Sequence, residues 1–342
     1  MKLLIVTQKV DKNDSNLGFF HEWLKEFSKH VETLSVICLG KGEYDLPNNV
    51  KVYSLGKEQG VSRVARLFNF YRYVFSLSGD YDAVLVHMNP VYLTLAGWYW
   101  KLSKKKVGLW YTHKSVDLKL RIAEKFTHHI FTASTESFRL RSKKIHITGH
   151  GIDTNLFSPA SEQKLRSTFS LITVGRISPT KNLESIIMAL HNFRERGVDA
   201  NLSIIGATIT REDATYEKKL KEIISKNGVT PNVLFLGAIP HTKLPRYYKD
   251  ADVFINMSNT GSIDKSVLEA GSMDIPVITS NEAFRNIIEK RTFVEGQNNL
   301  SRVLYAIYEI KQKGKKISSI REYVIKQHSL TNLIPRIISF YE

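Results

Sequence analysis

Leu171-Ile172-Thr173-Val174-Gly175-Arg176-Ile177-Ser178-Pro179-Thr180-Lys181-Asn182-Leu183 reads as an apolar strand, Leu171–Gly175, a short polar link and the start of a helix. Beyond it Leu183, Ile186, Ile187, Leu190 and Phe193 recur at helical spacing on one face, with Asn182 or Thr180 as the candidate cap. A strand passing directly into a helix is the unit of a parallel α/β sheet. In open sheets of that kind, ligands bind outside the carboxyl ends of the strands. Arg176 and Lys181 place a guanidinium and an ammonium five residues apart at that edge. The free N–H groups of a helix start favour phosphate at the same place.

Outward from this unit the pattern repeats. Towards the N-terminus, candidate strands are Leu3–Val6, Thr33–Leu39, Val50–Ser54, Ala83–His87, Val107–His113, Ile130–Ala133 and Ile145–Thr148. Towards the C-terminus they are Asn201–Ile205, Val233–Leu236, Val253–Met257, Val277–Thr279 and Thr292–Val294. Strands alternating with helical stretches imply parallel sheets wound on both faces. Thirteen strands in two sets predict two such domains, 1–155 and 156–325, joined across Asp153–Thr168 where Phe157-Ser158-Pro159-Ala160-Ser161 breaks the pattern. Residues 326–342 carry a last helical periodicity, expected to pack back on the first domain.

The chain has 342 residues, 42% hydrophobic and 24% charged, enough for two cores. One cysteine, Cys38 in an apolar run, excludes an internal disulfide and suits a reducing compartment. No apolar run approaches the ~20 residues that span a bilayer, and Met1-Lys2 leads straight into a strand without a signal peptide. These features predict a cytoplasmic protein.

A second piece of the site follows some ninety residues after the first. Thr260-Gly261-Ser262-Ile263-Asp264-Lys265-Ser266-Val267-Leu268-Glu269-Ala270 is a small-residue loop entering a helix with one carboxylate, Glu269. Two cations for a diphosphate and one acid for sugar hydroxyls describe a nucleotide-sugar site. Gly151-Ile152-Asp153-Thr154-Asn155-Leu156-Phe157, Val174–Lys181, Phe235-Leu236-Gly237 with Leu244-Pro245 and Tyr247-Tyr248, Asp250–Phe254, Val267–Ala270 and Ile275–Ile278 follow in order. Together they resemble the retaining GT-B glycosyltransferases of family 4, strongly from about Gly149 to Thr279 and more weakly before it.

The resemblance implies two Rossmann-like domains facing a crevice, with a donor site in the second and an acceptor site in the first. It implies Arg176 and Lys181 on the diphosphate, Glu269 on the ribose hydroxyls, and Thr260, Gly261 and Ser262 offering N–H groups to the β-phosphate. The base is then expected against backbone near Gly237 and Ile239. A histidine near the donor sugar maps to His113, and a first-domain loop to Asn16 and Gly18. Transfer with retention needs no metal and no cofactor besides the nucleotide-diphosphate sugar, with a saccharide or lipid-linked acceptor. One departure stands out: the family usually carries two glutamates eight positions apart, and the first position here is Gly261. Asp264 is either a substitute acid or a residue favoured at a helix start on its own account.

Other residues divide between site and scaffold. His87 and His150 also end strand-like segments, while His128-His129 reads as a helix-to-strand turn. Asp80-Tyr81-Asp82 and Asp250-Ala251-Asp252 precede strands and read as strand-entry turns rather than metal ligands.

The net charge of +16 is uneven, with 15 Lys+Arg against 5 Asp+Glu between Val61 and Thr148. Val61–Leu77 mixes Arg63, Arg66 and Arg72 with aromatic and aliphatic residues, and Val91–Leu102 ends in Trp98-Tyr99-Trp100 before Lys101 and Lys104-Lys105-Lys106. Both are either amphipathic helices covering the first sheet or a surface that rests on anionic lipid. A nucleic-acid-binding module would use the same charge, but no helix-turn-helix, finger or RNA-binding aromatic motif accompanies it, and no nucleic acid is expected. A non-catalytic nucleotide-binding protein and a sugar-nucleotide epimerase remain open on the same fold.

Overall fold

The computed structural model describes residues 1–160, 167–296 and 299–342, so 161–166 of the expected junction lie outside the described residues. Its strands are β1 Lys2–Val10, β2 Thr33–Lys41, β3 Val50–Ser54, β4 Ala83–His87, β5 Lys106–Trp110, β6 His129–Thr132, β7 Ile145–Ile147, β8 Phe169–Val174, β9 Ala200–Ile205, β10 Val233–Gly237, β11 Val253–Asn256 and β12 Val277–Thr279. The helices are α1 Phe19–Ser28, α2 Arg63–Ser76, α3 Val91–Leu102, α4 Leu118–Phe126, α5 Leu183–Glu195, α6 Arg211–Lys226, α7 Leu244–Lys249, α8 Lys265–Ser272, α9 Leu300–Gln312, α10 Arg321–His328 and α11 Leu330–Ser339.

One sheet has the order β3-β2-β1-β4-β5-β6-β7 and the other β10-β9-β8-β11-β12, and every strand pair is parallel. The two doubly wound sheets expected from the strand–helix alternation are present. In each, the order reverses beside the first strand, at β1/β4 and at β8/β11, and such switch points are where open sheets take ligands.

The chain divides into two compact units. The first comprises Met1–Asp153, Pro240–Thr242 and Gln327–Glu342; the second comprises Thr154–Ile239 and Lys243–Lys326. In the first, alternate residues of β1 serve opposite cores, as the period of two in a strand requires. Leu3 and Ile5 join α1 and α11, including Trp23, Leu333, Ile334 and Ile337. Leu4 and Val6 join α2, α3 and α4, including Phe70, Val74, Trp100 and Leu120. Ile152 bridges Ser329 in parallel, and Tyr341 donates its hydroxyl to Val84 O at 3.1 Å. In the second unit, α5, α6 and α9 cover one face; all five residues of the predicted α5 face are buried. Cys38 is buried on β2.

Three local expectations are corrected. Thr292–Val294 is no strand: a 3₁₀ turn takes Lys290–Thr292, leaving one bridge from Phe293 to Thr279. The strand expected to reach His113 ends at Trp110, because the chain then folds back on itself, with Ser115 N donating to His113 Nδ1 at 3.1 Å. Asn182, not Thr180, occupies the N-cap of α5, but without a side-chain capping bond: Pro179–Lys181 forms a 3₁₀ turn and Asn182 takes φ +47°.

Both Asp-x-Asp sequences do enter strands. Asp82 Oδ2 accepts Lys2 N at 2.9 Å and Asp252 Oδ2 accepts Ser170 N at 2.9 Å, so each carboxylate fastens the start of the central neighbouring strand.

Candidate functional site

Three strands of the second sheet end in glycine. Gly175, Gly206 and Gly237 follow or close β8, β9 and β10, with φ of +154°, +145° and +67°. Gly175 N donates to Ile205 O and Gly206 N to Gly237 O, both at 2.9 Å. A Cβ at Gly206 would lie 1.9 Å from Gly175 O, so no other residue fits there without backbone movement. The result is a side-chain-free shelf along the carboxyl edge. Sequence reasoning assigned Gly237 and missed Gly206, although Ile205-Gly206 repeats the pattern of Val174-Gly175.

Arg176 leaves this shelf with its side chain 45% exposed and its Nε 3.8 Å from Asp213 Oδ2. Asp213 closes a capping box with Thr210 at the start of α6. Burial works against its charge, but N–H groups of Thr210 and Ile209, with Arg176 nearby, hold it below the usual carboxylate range.

Lys181 lies on the other side of the switch point, beside the loop after β11. Its Nζ is 3.1 Å from Asp264 Oδ1 and 3.5 Å from Ser258 Oγ. Asp264 Oδ2 accepts from Asn256 Nδ2 at 3.0 Å and from Asn281 Nδ2 at 3.4 Å. Asn281 also donates to Ser262 O at 2.8 Å, and Ser258 Oγ to Thr260 Oγ1 at 3.1 Å. Thr260, Ser262, Asp264 and Lys181 are therefore gathered into one polar knot. Asp264 stands at the N-cap of α8 but makes no capping bond; its carboxylate serves the lysine, not the helix end. Gly261 takes φ +59°, a left-handed conformation that costs a residue with a Cβ about 1–2 kcal/mol. Glycine takes this conformation without that cost.

Glu269 is brought into a separate buried cluster. Its Oε1 takes Lys265 Nζ at 2.8 Å and its Oε2 takes the Tyr248 hydroxyl at 3.3 Å. Burial, then the carboxylate beside it, pushes the Tyr248 phenol well above its ordinary range. Ile239 is half-buried just beyond Gly237, in irregular backbone.

In the first unit, Asn16 and Gly18 lie in the loop between β1 and α1. Asp14, which sequence reasoning passed over as a site residue, organises it: its carboxylate accepts Asn16 N at 2.9 Å, Leu17 N at 2.8 Å and Lys9 Nζ at 2.7 Å. Gly18 is needed for close approach, since a Cβ would lie 2.3 Å from Asp14 O. His113 is exposed in the loop after β5. His87, by contrast, closes β4 at the switch point, stacked on Phe20 at 3.9 Å with Thr7 Oγ1 3.0 Å from its Nδ1. Burial, with repulsion from His150, pushes it down to about 3, which keeps it neutral. His150 lies after β7 rather than on it, its backbone N donating to His328 Nδ1 at 3.1 Å. Among the described residues no cluster of His, Cys, Asp or Glu could hold a metal ion.

The family description "Glycosyl transferases group 1" matches residues 157–327, half of the chain. The mannosylfructose-phosphate synthase of Agrobacterium fabrum is 26% identical over 155 residues, covering 42% of this chain and 34% of the relative. A GDP-mannose-dependent alpha-(1-6)-phosphatidylinositol monomannoside mannosyltransferase of Mycobacterium tuberculosis is 29% identical over 146 residues, covering 38% and 36%. These matches span about a third of the curated relatives' length. Anabaena HepE in complex with UDP and glucose superposes over 99% of each chain with a TM-score of 0.77 at 16% identity. Sucrose-phosphate synthase from Thermosynechococcus elongatus does so over 100% and 98%, with a TM-score of 0.73 at 13% identity. At such identities the likeness concerns the fold, which is that of GT-B glycosyltransferases.

Proposed function

This chain belongs to the group 1 glycosyl transferases, and from that membership we propose that it moves a hexosyl-type group from a nucleotide-diphosphate sugar to a saccharide or lipid-linked acceptor. The observation that carries the reading is Lys181, held by Asp264 at 3.1 Å, opposite Arg176 across the β8/β11 switch point. Both cations lie beside the glycine shelf, whose bare backbone would let a diphosphate approach closely. The relatives named for GDP-mannose and the structural neighbour holding UDP and glucose support a nucleotide-sugar donor.

In the reaction, the bond between the anomeric carbon and the β-phosphate oxygen breaks, and the electron pair leaves with the nucleoside diphosphate. The acceptor hydroxyl oxygen bonds to the same face of the anomeric carbon, its proton passing to the departing phosphate. Arg176 and Lys181 stabilise the charge that develops on the leaving group, a contribution of about 3–4 kcal/mol per group. No metal enters this scheme. Asp264 offers the donor sugar a carboxylate where Gly261 supplies none, and Glu269, fixed by Lys265 and Tyr248, is assigned to the ribose.

The test is thermal stability against UDP, GDP, ADP and their common sugar conjugates, for the wild type and Lys181→Ala. A ligand at a hundred times its dissociation constant stabilises a fold by about 2.7 kcal/mol. Stabilisation by one nucleotide family, abolished in the variant, is expected. No response to any nucleotide would remove the donor-site assignment.

A further inference from the structure

Helices α2 and α3 lie side by side on one face of the first sheet, with the Tyr71 hydroxyl on Leu95 O at 3.1 Å and the Phe75 and Tyr99 rings 4.9 Å apart. Their inner faces fill the core through Phe70, Val74, Leu93 and Trp100. A helix on a protein surface ordinarily turns a polar stripe outward. These two do not. Val64 is 79% exposed, Phe68 69%, Leu102 75%, and Leu67, Phe75 and Trp98 between 41% and 46%. Neither helix contains an acidic residue, while Arg63, Arg72, Lys101 and Lys104 are exposed among the apolar side chains.

We propose that this face of the first unit docks on an anionic lipid bilayer, its apolar side chains entering the interface and its cations meeting the headgroups. Charge complementarity selects the occupant. Bulky side chains along two neighbouring helices, interspersed with cations and with no anion on either helix, match a planar surface that is apolar within and negative at its rim. A nucleic acid gives Val64, Phe68 and Leu102 nothing to bury against, and protein interface cores are depleted in charge. The patch runs the length of the helix pair. Because α2 follows β3, its first turn, with Val64, lies towards the carboxyl edge of the sheet, whereas the last turn of α3, with Leu102, precedes β5 and lies towards the amino edge. Docking lays the two helices along the bilayer surface. Delivery of a lipid-linked acceptor along it rests on the transferase reading; the docking itself does not.

The experiment is co-sedimentation of the full chain with vesicles of phosphatidylglycerol and phosphatidylcholine, against phosphatidylcholine alone, at low and high salt. It compares the wild type with Val64→Ser/Phe68→Ser/Leu102→Ser and with Arg72→Glu/Lys101→Glu/Lys104→Glu. The wild type is expected to partition at least tenfold more strongly onto the anionic vesicles, and each triple variant to lose at least tenfold. Circular dichroism melts and the nucleotide-induced thermal shift, read on the same samples, establish that the variants are folded. Failure of the wild type to bind acidic vesicles overturns the proposal. So does undiminished binding by the folded apolar variant, or a wild-type dimer that this variant turns into a monomer, which would make a second copy the occupant.

Discussion

Acidification should weaken this protein through two buried histidines of the first unit. Burial, with His150 adding repulsion, pushes both His87 and His328 from 6.5 to about 3. Both pKa values are depressed, so above 6.5 both states are neutral and the rings cost nothing. As pH falls below 6.5 the unfolded chain takes up protons that the fold refuses, and the penalty grows until about pH 3. At pH 5 this amounts to about 2 kcal/mol for each ring, or about 4 kcal/mol together.

The assay is urea unfolding at pH 7.5 and pH 5.0, followed by tryptophan fluorescence. Trp110 and Trp23 lie 5.4 and 6.0 Å from the His87 ring, so the probe sits beside the group that titrates. The control is His87→Asn/His328→Asn, since an asparagine oxygen keeps an acceptor at the Nδ1 position facing Thr7 and His150 N. The variant starts less stable but should lose about 4 kcal/mol less between the two pH values. A wild-type stability that is unchanged at pH 5, or a variant that loses as much as the wild type, would refute the reasoning.

Arg176→Ala and Lys181→Ala should each lower turnover by about 10²–10³ in a donor-consumption assay while leaving the far-UV spectrum intact. Equal turnover would take both cations out of the reaction. Asp264→Asn keeps an acceptor for Asn256 but removes the charge beside Lys181, so calorimetry should show nucleoside diphosphate binding roughly tenfold tighter while transfer slows; unchanged affinity would mean Lys181 does not reach the phosphates. Gly206→Ala should destabilise the second unit by about 1–3 kcal/mol or more, because its Cβ would sit 1.9 Å from Gly175 O; a melting temperature equal to the wild type would show that the shelf can give way.

Most of both sheets was legible because parallel strands covered on two faces are continuous apolar runs. The exceptions have local causes. β1 runs on through Thr7, Gln8 and Lys9 to Val10, with Thr7 pairing with Cys38, Lys9 with Gly40 and Val10 with Lys41, and polar residues at a strand's end carry no period. His113 looked like a strand end because Trp110-Tyr111-Thr112 is strand-like in composition, whereas the turn made by Ser115 on its own ring decides otherwise. Arg176, Lys181 and Glu269 were singled out from motif order. The partnership of Lys181 with Asp264, 83 residues apart, was not, since no spacing rule links two loops that only the sheet order makes neighbours. Asp14 was missed for a different reason: its work is done through backbone N–H groups, which leave no mark in a one-letter string.

The last helix has a consequence for how the protein comes into being. The core beneath α1 is closed by Leu330, Leu333, Ile334, Ile337 and Ile338, and β1 lies against a wall that is translated after the whole second unit. During synthesis the first 153 residues emerge with one flank of their sheet covered by α1 alone, so that part of it stays bare until residues beyond 327 arrive. The second unit, made later, has its core complete earlier. Order of birth and order of completion are reversed, and the half that is born first is the half that must be shielded from aggregation while it waits.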